Sequence, residues 1–327
     1  MTAARRPARR PRARRPALPP AGRVLPPELN AAVLDVGGRR VALSNLRKVF
    51  WPALGLTKGD LLRYYLTVAP VLLPHLRDRP MVMRRYPDGA AGASFFMKRA
   101  PSPRPAWIET CAVPHASGKV IDFPMVQDLA SLLWVVNLGC IDLNQWYAPR
   151  DDPDRPDCLH FDLDPGARAS FAQVLEAALL VHETLDALGI PSHAKTTGSR
   201  GVHVYVPIVR GPLQREVWAF AKALAGELAA RHPAIVTAEY AVARRPVDRV
   251  LLDYNQNAWG RTLASVYSVR PSARAAVSMP VTWRELARGI AIDDFRIDNA
   301  PARIRRRGDL WAPLLARRGR CRLERFL

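Results

Sequence analysis

Acidic residues are scarce in this chain: 29 Asp and Glu stand against 49 Lys and Arg in 327 residues, a formal charge of +20. That balance excludes an acidic outer surface and favours a polyanionic partner. Cysteine is scarce too. Cys111, Cys140, Cys158 and Cys321 lie far apart with no Cys-x-x-Cys pair, which excludes a zinc pattern and a disulfide framework and fits a reducing cytoplasm. No apolar run approaches the roughly eighteen residues of a membrane span, so a soluble chain with no membrane partner is expected. The arginine-rich start is followed by no apolar stretch, which excludes a twin-arginine export signal. No internal repeat is visible.

What is present is unevenly spread. Residues 1–27 hold eight arginines and no acidic residue, leaving +12 on the remaining 300. This Arg/Pro/Ala segment cannot bury a core and is expected to be a disordered basic arm. Leu34 and Val36, then Val41 and Leu43, alternate on either side of Gly37-Gly38 as a hairpin. Thr57 with Asp60 three residues on opens a helix to about Leu76, with a bend expected at Pro70. Met81–Tyr86 reads as a strand, Val126–Leu143 as a buried helix, and Leu159–Asp164 as a strand. Ser170 caps a helix that Gly189 stops. Strands are expected near 193–196, 202–208, 235–238, 250–253 and 265–269, and helices over 214–231 and 283–290. Interleaved helices and strands with β-β connections give an α+β fold with mixed and antiparallel sheets. The Pro/Asp-rich stretch Ala148–Pro156 divides an N-terminal subdomain, 28–150, from a catalytic one, 151–327, within one compact unit.

Two runs carry the chemistry. In His160-Phe-Asp-Leu-Asp-Pro-Gly166, strand alternation puts Asp162 and Asp164 on one face, with Phe161 and Leu163 on the other. Adjacent like charges repel, so a hard divalent cation between them is expected, and such a cation also holds substrate phosphates. In Lys195-Thr-Thr-Gly-Ser-Arg-Gly-Val-His203 a glycine-punctuated turn offers backbone N–H groups, the hydroxyls of Thr197 and Ser199, and the cations Lys195 and Arg200. His203 follows on an apolar strand, placed to donate to a phosphate. A third carboxylate, Asp253, ends the strand Val250-Leu-Leu; alone it reads equally as a turn residue. With the pair on the other strand it completes a two-metal nucleotidyl-transfer arrangement. Arg270, closing Ser265-Val-Tyr-Ser-Val-Arg, reads as a second phosphate clamp or as a surface cation.

In order, these runs, with Asp253-Tyr-Asn-Gln-Asn257 and Ser44-Asn-Leu-Arg-Lys-Val-Phe-Trp-Pro52, resemble the polymerase domain of the bacterial end-joining ligase, ligase D. That domain belongs to the archaeo-eukaryotic primase superfamily, and here it would stand alone. The resemblance covers roughly residues 33–315. It implies that Asp162, Asp164 and Asp253 bind two Mn²⁺ or Mg²⁺ ions, and that Thr197, His203 and Arg270 contact the triphosphate. It further implies that Asn45, Lys48 and Lys58 hold a 5′-phosphate, that Phe95 and Phe96 stack on template bases, and that Arg84 and Arg85 line the same template path. The activity implied is DNA-directed nucleotidyl transfer from NTP or dNTP, filling gaps and extending ends in non-homologous end joining. A taste for ribonucleotides, cooperation with Ku and an ATP-dependent DNA ligase, and a cytoplasmic, nucleoid-associated location go with it. The sequence departs at Asn144, where the family usually has a His near the metal site. A de novo primase and a non-catalytic DNA-end-bridging protein remain the rival readings.

Overall fold

The computed structural model describes residues 24–114 and 118–327, so almost all of the expected basic arm over 1–27 lies outside the described residues. The chain opens with β1 (Ala32–Val36) and β2 (Arg39–Leu43), joined through Gly37 and Gly38 at φ +59° and +76°. Positive φ at both central positions is what a tight hairpin turn requires, and glycine adopts it without a Cβ clash. A short ribbon, β3 (Val49–Trp51) and β4 (Leu56–Thr57), leads into α1 (Lys58–Leu76). Thr57 and Asp60 form a reciprocal capping box at its start. Both Pro70 and Pro74 lie inside that single helix.

Next come β5 (Met81–Arg85), β6 (Phe95–Met97), β7 (Thr110–Pro114), β8 (Val120–Pro124), α2 (Leu129–Asn137) and β9 (Cys140–Gln145). The helix expected over 126–143 is thus a short helix followed by a strand. Gly139, at φ +82°, turns the chain out of the helix. A continuous apolar run has no period to tell the two states apart. β9 pairs with β5, and β5 with β6, in a three-stranded antiparallel sheet.

The second half supplies β10 (Cys158–Pro165), α3 (Phe171–Ala187), β11 (His193–Thr196), β12 (Val202–Pro207), α4 (Gln214–Arg231), β13 (Val236–Thr237), β14 (Val250–Asp253), β15 (Pro280–Val281), α5 (Trp283–Ala287) and α6 (Ala300–Arg307). Six of its strands form one sheet in the order β13-β14-β10-β12-β11-β15, antiparallel except for β13 with β14. Helices α3 and α4 pack on this sheet, and Leu159, Phe161 and Leu163 of β10 are fully buried. The strand expected over 265–269 is reduced to a lone bridge, Val269 with Val277, because Tyr267 sits at φ +61°.

One hydrophobic cluster takes residues from both sides of the Ala148–Pro156 stretch. Polar contacts cross with it: the Tyr64 hydroxyl donates to Tyr267 O at 2.8 Å, and Ser265 N to Leu143 O at 2.7 Å. The architecture is α+β, and no helix among the described residues is long and apolar enough to cross a membrane.

Candidate active site

Strand register builds the site. Asp162 of β10 is paired with Asp253 of β14 on one side and with His203 of β12 on the other, and His203 is paired with Lys195 of β11. Directly opposed residues share a face, so Asp253, Asp162, His203 and Lys195 form one row across the sheet. Asp164 stands two residues along the same face of β10. One carboxylate oxygen from each of Asp162, Asp164 and Asp253 lies within 4.8 Å of the others.

The electrostatics of this cluster are strained. Asp164 is pushed well above the ordinary carboxylate range, first by the charge of Asp162, then by burial and Asp253. Burial raises Asp162 against the pull of Lys195 and Arg270, and burial likewise raises Asp253. Both oxygens of Asp253 are held: Asn255 N donates to one and Gln256 Nε2 to the other, each at 2.9 Å. By contrast Asp162 Oδ1 is buried with no aligned donor, although His203 Nε2 stands 3.1 Å away. Converging carboxylates, mutual repulsion and an unsatisfied buried oxygen fit a hard divalent cation.

The glycine turn lies against this row. Thr197 Oγ1 accepts from Ser199 N at 3.0 Å and Gly201 N at 3.1 Å, which shapes the turn and leaves the hydroxyl hydrogen free to donate. Two glycines are required by close approach. A Cβ on Gly201 would lie 2.3 Å from Leu163 O, and one on Gly198 (φ +67°) would lie 2.7 Å from Arg270 Cγ. Ser199 and Arg200 are exposed on the turn. Arg270 donates from Nη1 to Thr197 O at 2.9 Å, tying its guanidinium to the turn. Asp162, Asp164, Thr197, Ser199, His203 and Arg270 line one cavity of about 520 Å³.

Lys195 is placed differently from the sequence expectation. Its Nζ is buried and held inside the protein by His203 Nδ1 at 2.6 Å, Ser278 Oγ at 2.7 Å and Ala264 O at 2.9 Å. Burial and Arg270 pull it well below its usual value. Ser278 gives its own proton to Thr196 O at 2.9 Å, so it accepts from Lys195, and a neutral amine satisfies all three partners by donating to Ser278 and Ala264 O and accepting from His203 Nδ1–H. This contact holds the His203 ring with its Nε2 3.1 Å from Asp162 Oδ1. Lys195 therefore positions His203 and does not reach a phosphate.

Arg84 and Arg85 also separate. Successive strand residues point to opposite faces, so they cannot line one path. Arg84 lies over the Phe96 ring at 5.3 Å and lines the catalytic cavity with it. Arg85 lies over Phe95 at 5.3 Å on the other face, donates to Leu138 O, and its charge reaches Lys58. Phe95 and Phe96 are exposed, and each is the cross-strand partner of its arginine.

The Asn45–Lys48 turn sits on the N-terminus of α1: Lys58 N donates to Lys48 O, and Lys58 Nζ to Ser44 O, both at 2.8 Å. Asn45 adopts φ +54°. Lys58 is buried and its ammonium is pulled down to about 8, by desolvation and then by Lys48 and Arg85. Lys48 is paired with Asp88 at 2.9 Å. These cations and a helix N-terminus converge, as an anion site needs.

Sequence reasoning missed Asp142. It is fully buried on β9, 2.9 Å from Arg270 Nε and 3.6 Å from Arg84 Nη1, and accepts from the Tyr86 hydroxyl at 3.1 Å. It orients both arginines at the cavity wall. The signal was there, since an Asp inside an apolar run is tolerated only when paired. Asn144, two residues on, is buried in the same wall and donates to Asp142 O at 3.1 Å.

An antiparallel sheet that gathers acids beside a phosphate-type turn defines a nucleotidyltransferase of the primase-polymerase kind. Residues 57–311 match the family model described as LigD, primase-polymerase domain. The multifunctional non-homologous end joining protein LigD of Mycolicibacterium smegmatis is 34% identical over 277 residues, 84% of this chain and 36% of that protein. The bifunctional LigD of Bacillus subtilis is 28% identical over 270 residues, 82% of this chain and 43% of its own length. Among solved structures, the polymerase domain from Mycobacterium tuberculosis ligase D in complex with DNA superposes with a TM-score of 0.79 at 32% identity, covering 85% of this chain and 99% of that one. The chain belongs to the LigD primase-polymerase domain family, and it spans little more than a third of the length of the Mycolicibacterium relative.

Proposed function

We propose that this chain extends a DNA 3′-OH by one or a few nucleotides at gaps and annealed ends during non-homologous end joining. The observation that carries the reading is the convergence of Asp162, Asp164 and Asp253, the first two lining the same cavity as Thr197, His203 and Arg270. Bound Mn²⁺ or Mg²⁺ would activate the attacking 3′-oxygen and neutralise the triphosphate and the leaving pyrophosphate. The protein's own part is positioning. His203, oriented by Lys195, presents Nε2 to the cavity. The Thr197 hydroxyl and the N–H groups of the turn hold phosphate oxygens, and Arg270, braced by Asp142, adds a fixed positive charge. Asn45, Lys48 and Lys58 take the 5′-phosphate across the gap, while Phe96 and Arg84 border the template. Asn144 in place of the family's histidine offers an amide oxygen instead of an imidazole, which shifts the preference toward hard cations.

The preference for ribonucleotides, the encounter with Ku and with an ATP-dependent ligase, and a location on the nucleoid in the cytoplasm belong to the same proposal; the names of the relatives support its end-joining setting. The test is single-nucleotide filling of a 5′-phosphorylated gap, with rNTP against dNTP and Mn²⁺ against Mg²⁺. Asp162→Ala and Asp164→Ala are expected to lose about a thousand-fold or more in rate while still binding DNA, the cost of removing one preorganised electrostatic partner. Extension by the double variant, or wild-type DNA binding without metal-dependent incorporation, overturns the reading.

A further inference from the structure

Beside the catalytic cavity opens a second one of about 210 Å³ that shares Lys98, Gly260 and Arg261 with it. Its wall is an aromatic series. Phe123 meets Trp146 edge to face at 5.5 Å, and Trp146 meets Trp259 at 5.2 Å with an interplanar angle of 87°. Phe123 and Trp146 are buried, but Trp259 is 42% exposed. A perpendicular contact occupies at most one face of the Trp259 ring, so the other face is not taken by Trp146. Leaving so much indole in water costs hydrophobic free energy that a flat ligand would recover.

Two further features fit that ligand. Lys98 and Arg261 are both exposed at the rim and have no acidic partner among the described residues. And Trp259 is held by the catalytic strand. Asn257, two residues before it, accepts from His160 N at 3.0 Å and donates to His160 O at 2.7 Å, while Gln214 Nε2 donates to Ala258 O at 3.2 Å. Gly260, at φ +72°, then turns the chain toward Arg261. The ring is thus fixed relative to Asp162, two residues from His160 on β10, and a platform that needs no ordering binds with less entropic loss.

We propose that this cavity is a stacking subsite for one unpaired base of single-stranded DNA leaving the catalytic cavity. Trp259 is the platform, and Lys98 and Arg261 take the flanking phosphates. Aromatic rings interleaved with unpaired cations in a groove continuous with the reaction cavity are how proteins hold single strands without reading sequence. An apolar peptide would use the rings but leave both cations unanswered, and the continuity with the catalytic cavity favours nucleic acid. The subsite presupposes a DNA substrate next door, and so it rests on the polymerase reading.

The experiment is equilibrium binding, in EDTA and without nucleotide, of a duplex with a five-thymidine overhang and of the same duplex blunt. Trp259→Ala is expected to weaken the overhang duplex about fivefold or more and leave the blunt duplex unchanged, the scale of one lost base–aromatic stack. Trp259→Phe keeps most of the overhang affinity. Lys98→Ala with Arg261→Ala, at exposed positions where folding is not at risk, lowers overhang affinity and its salt dependence together. The overhang should also quench tryptophan fluorescence in the wild type and less in Trp259→Ala. An unchanged overhang preference in Trp259→Ala, equal weakening of both duplexes, or a Trp259 fluorescence change with an apolar peptide and none with DNA each overturns the subsite. Failure of the wild type to bind either duplex speaks against the polymerase reading instead.

Discussion

At the residue scale the chemistry rests on period-two alternation. Asp162 and Asp164 were legible because Phe161 and Leu163 mark the buried face between them. The same rule, applied to Arg84 and Arg85, separates them, and of the two only Arg84 lines the catalytic cavity. Lys195 illustrates the opposite failure. A lysine beside a glycine turn reads as a phosphate cation, but the row it occupies is set by pairing between β11 and β12, which no local pattern reveals. Lys58 gives a pH test. With its ammonium pulled down to about 8, it loses its proton as the pH passes that value, while a terminal phosphate, with a second pKa of about 6, is almost fully ionised from about pH 7 upward. The preference for a phosphorylated over an unphosphorylated gap is therefore expected to fall between about pH 7 and pH 9, and to stay flat in Lys58→Arg. A preference that holds constant to pH 9 in the wild type removes Lys58 from the phosphate site. The sign for stability is opposite. The unfolded chain holds this proton up to the ordinary value of 10.5, so the folded state gains slightly as the pH rises from about 8.

At the element scale, the capped helices and the hairpin follow from local chemistry: Thr57 with Asp60, Asp128 with Ser131, Ser170 with Gln173, and Gly37-Gly38. Legibility fails where tertiary contacts decide. β9 sits in an apolar run that reads equally as helix, and it carries Asp142 and Asn144 to the cavity wall. One of the tightest contacts is the glycine turn against β10. Gly201→Ala would drive its Cβ to 2.3 Å from Leu163 O, between Asp162 and Asp164 in sequence. The strain is expected to cost about 1–3 kcal/mol of stability. Nucleotide affinity should fall with it, because the strand that yields carries Asp162 and Asp164. Thermal denaturation and nucleotide titration check this together; an alanine variant with wild-type melting and affinity contradicts the close packing.

At the scale of the whole molecule, the +20 charge and the shortage of acids favour a polyanionic partner, and the buried acids among the described residues are Asp162 and Asp253 of the carboxylate cluster and Asp142. The topology that brings β14 beside β10 was beyond sequence reasoning, since Asp253 lies far along the chain and joins the row only through sheet register. DNA binding is expected to depend steeply on salt, and Lys48→Ala with Lys58→Ala to reduce the slope of log affinity on log salt by about two phosphate contacts' worth. An unchanged slope places the gap phosphate elsewhere. The most direct test of the central claim is Mn²⁺ titration followed by electron paramagnetic resonance, comparing wild type with Asp162→Asn and Asp253→Asn. The three-carboxylate cluster predicts that each variant, from either strand, loses at least tenfold in Mn²⁺ affinity, about 1.4 kcal/mol or more. Wild-type Mn²⁺ affinity in Asp253→Asn would contradict it.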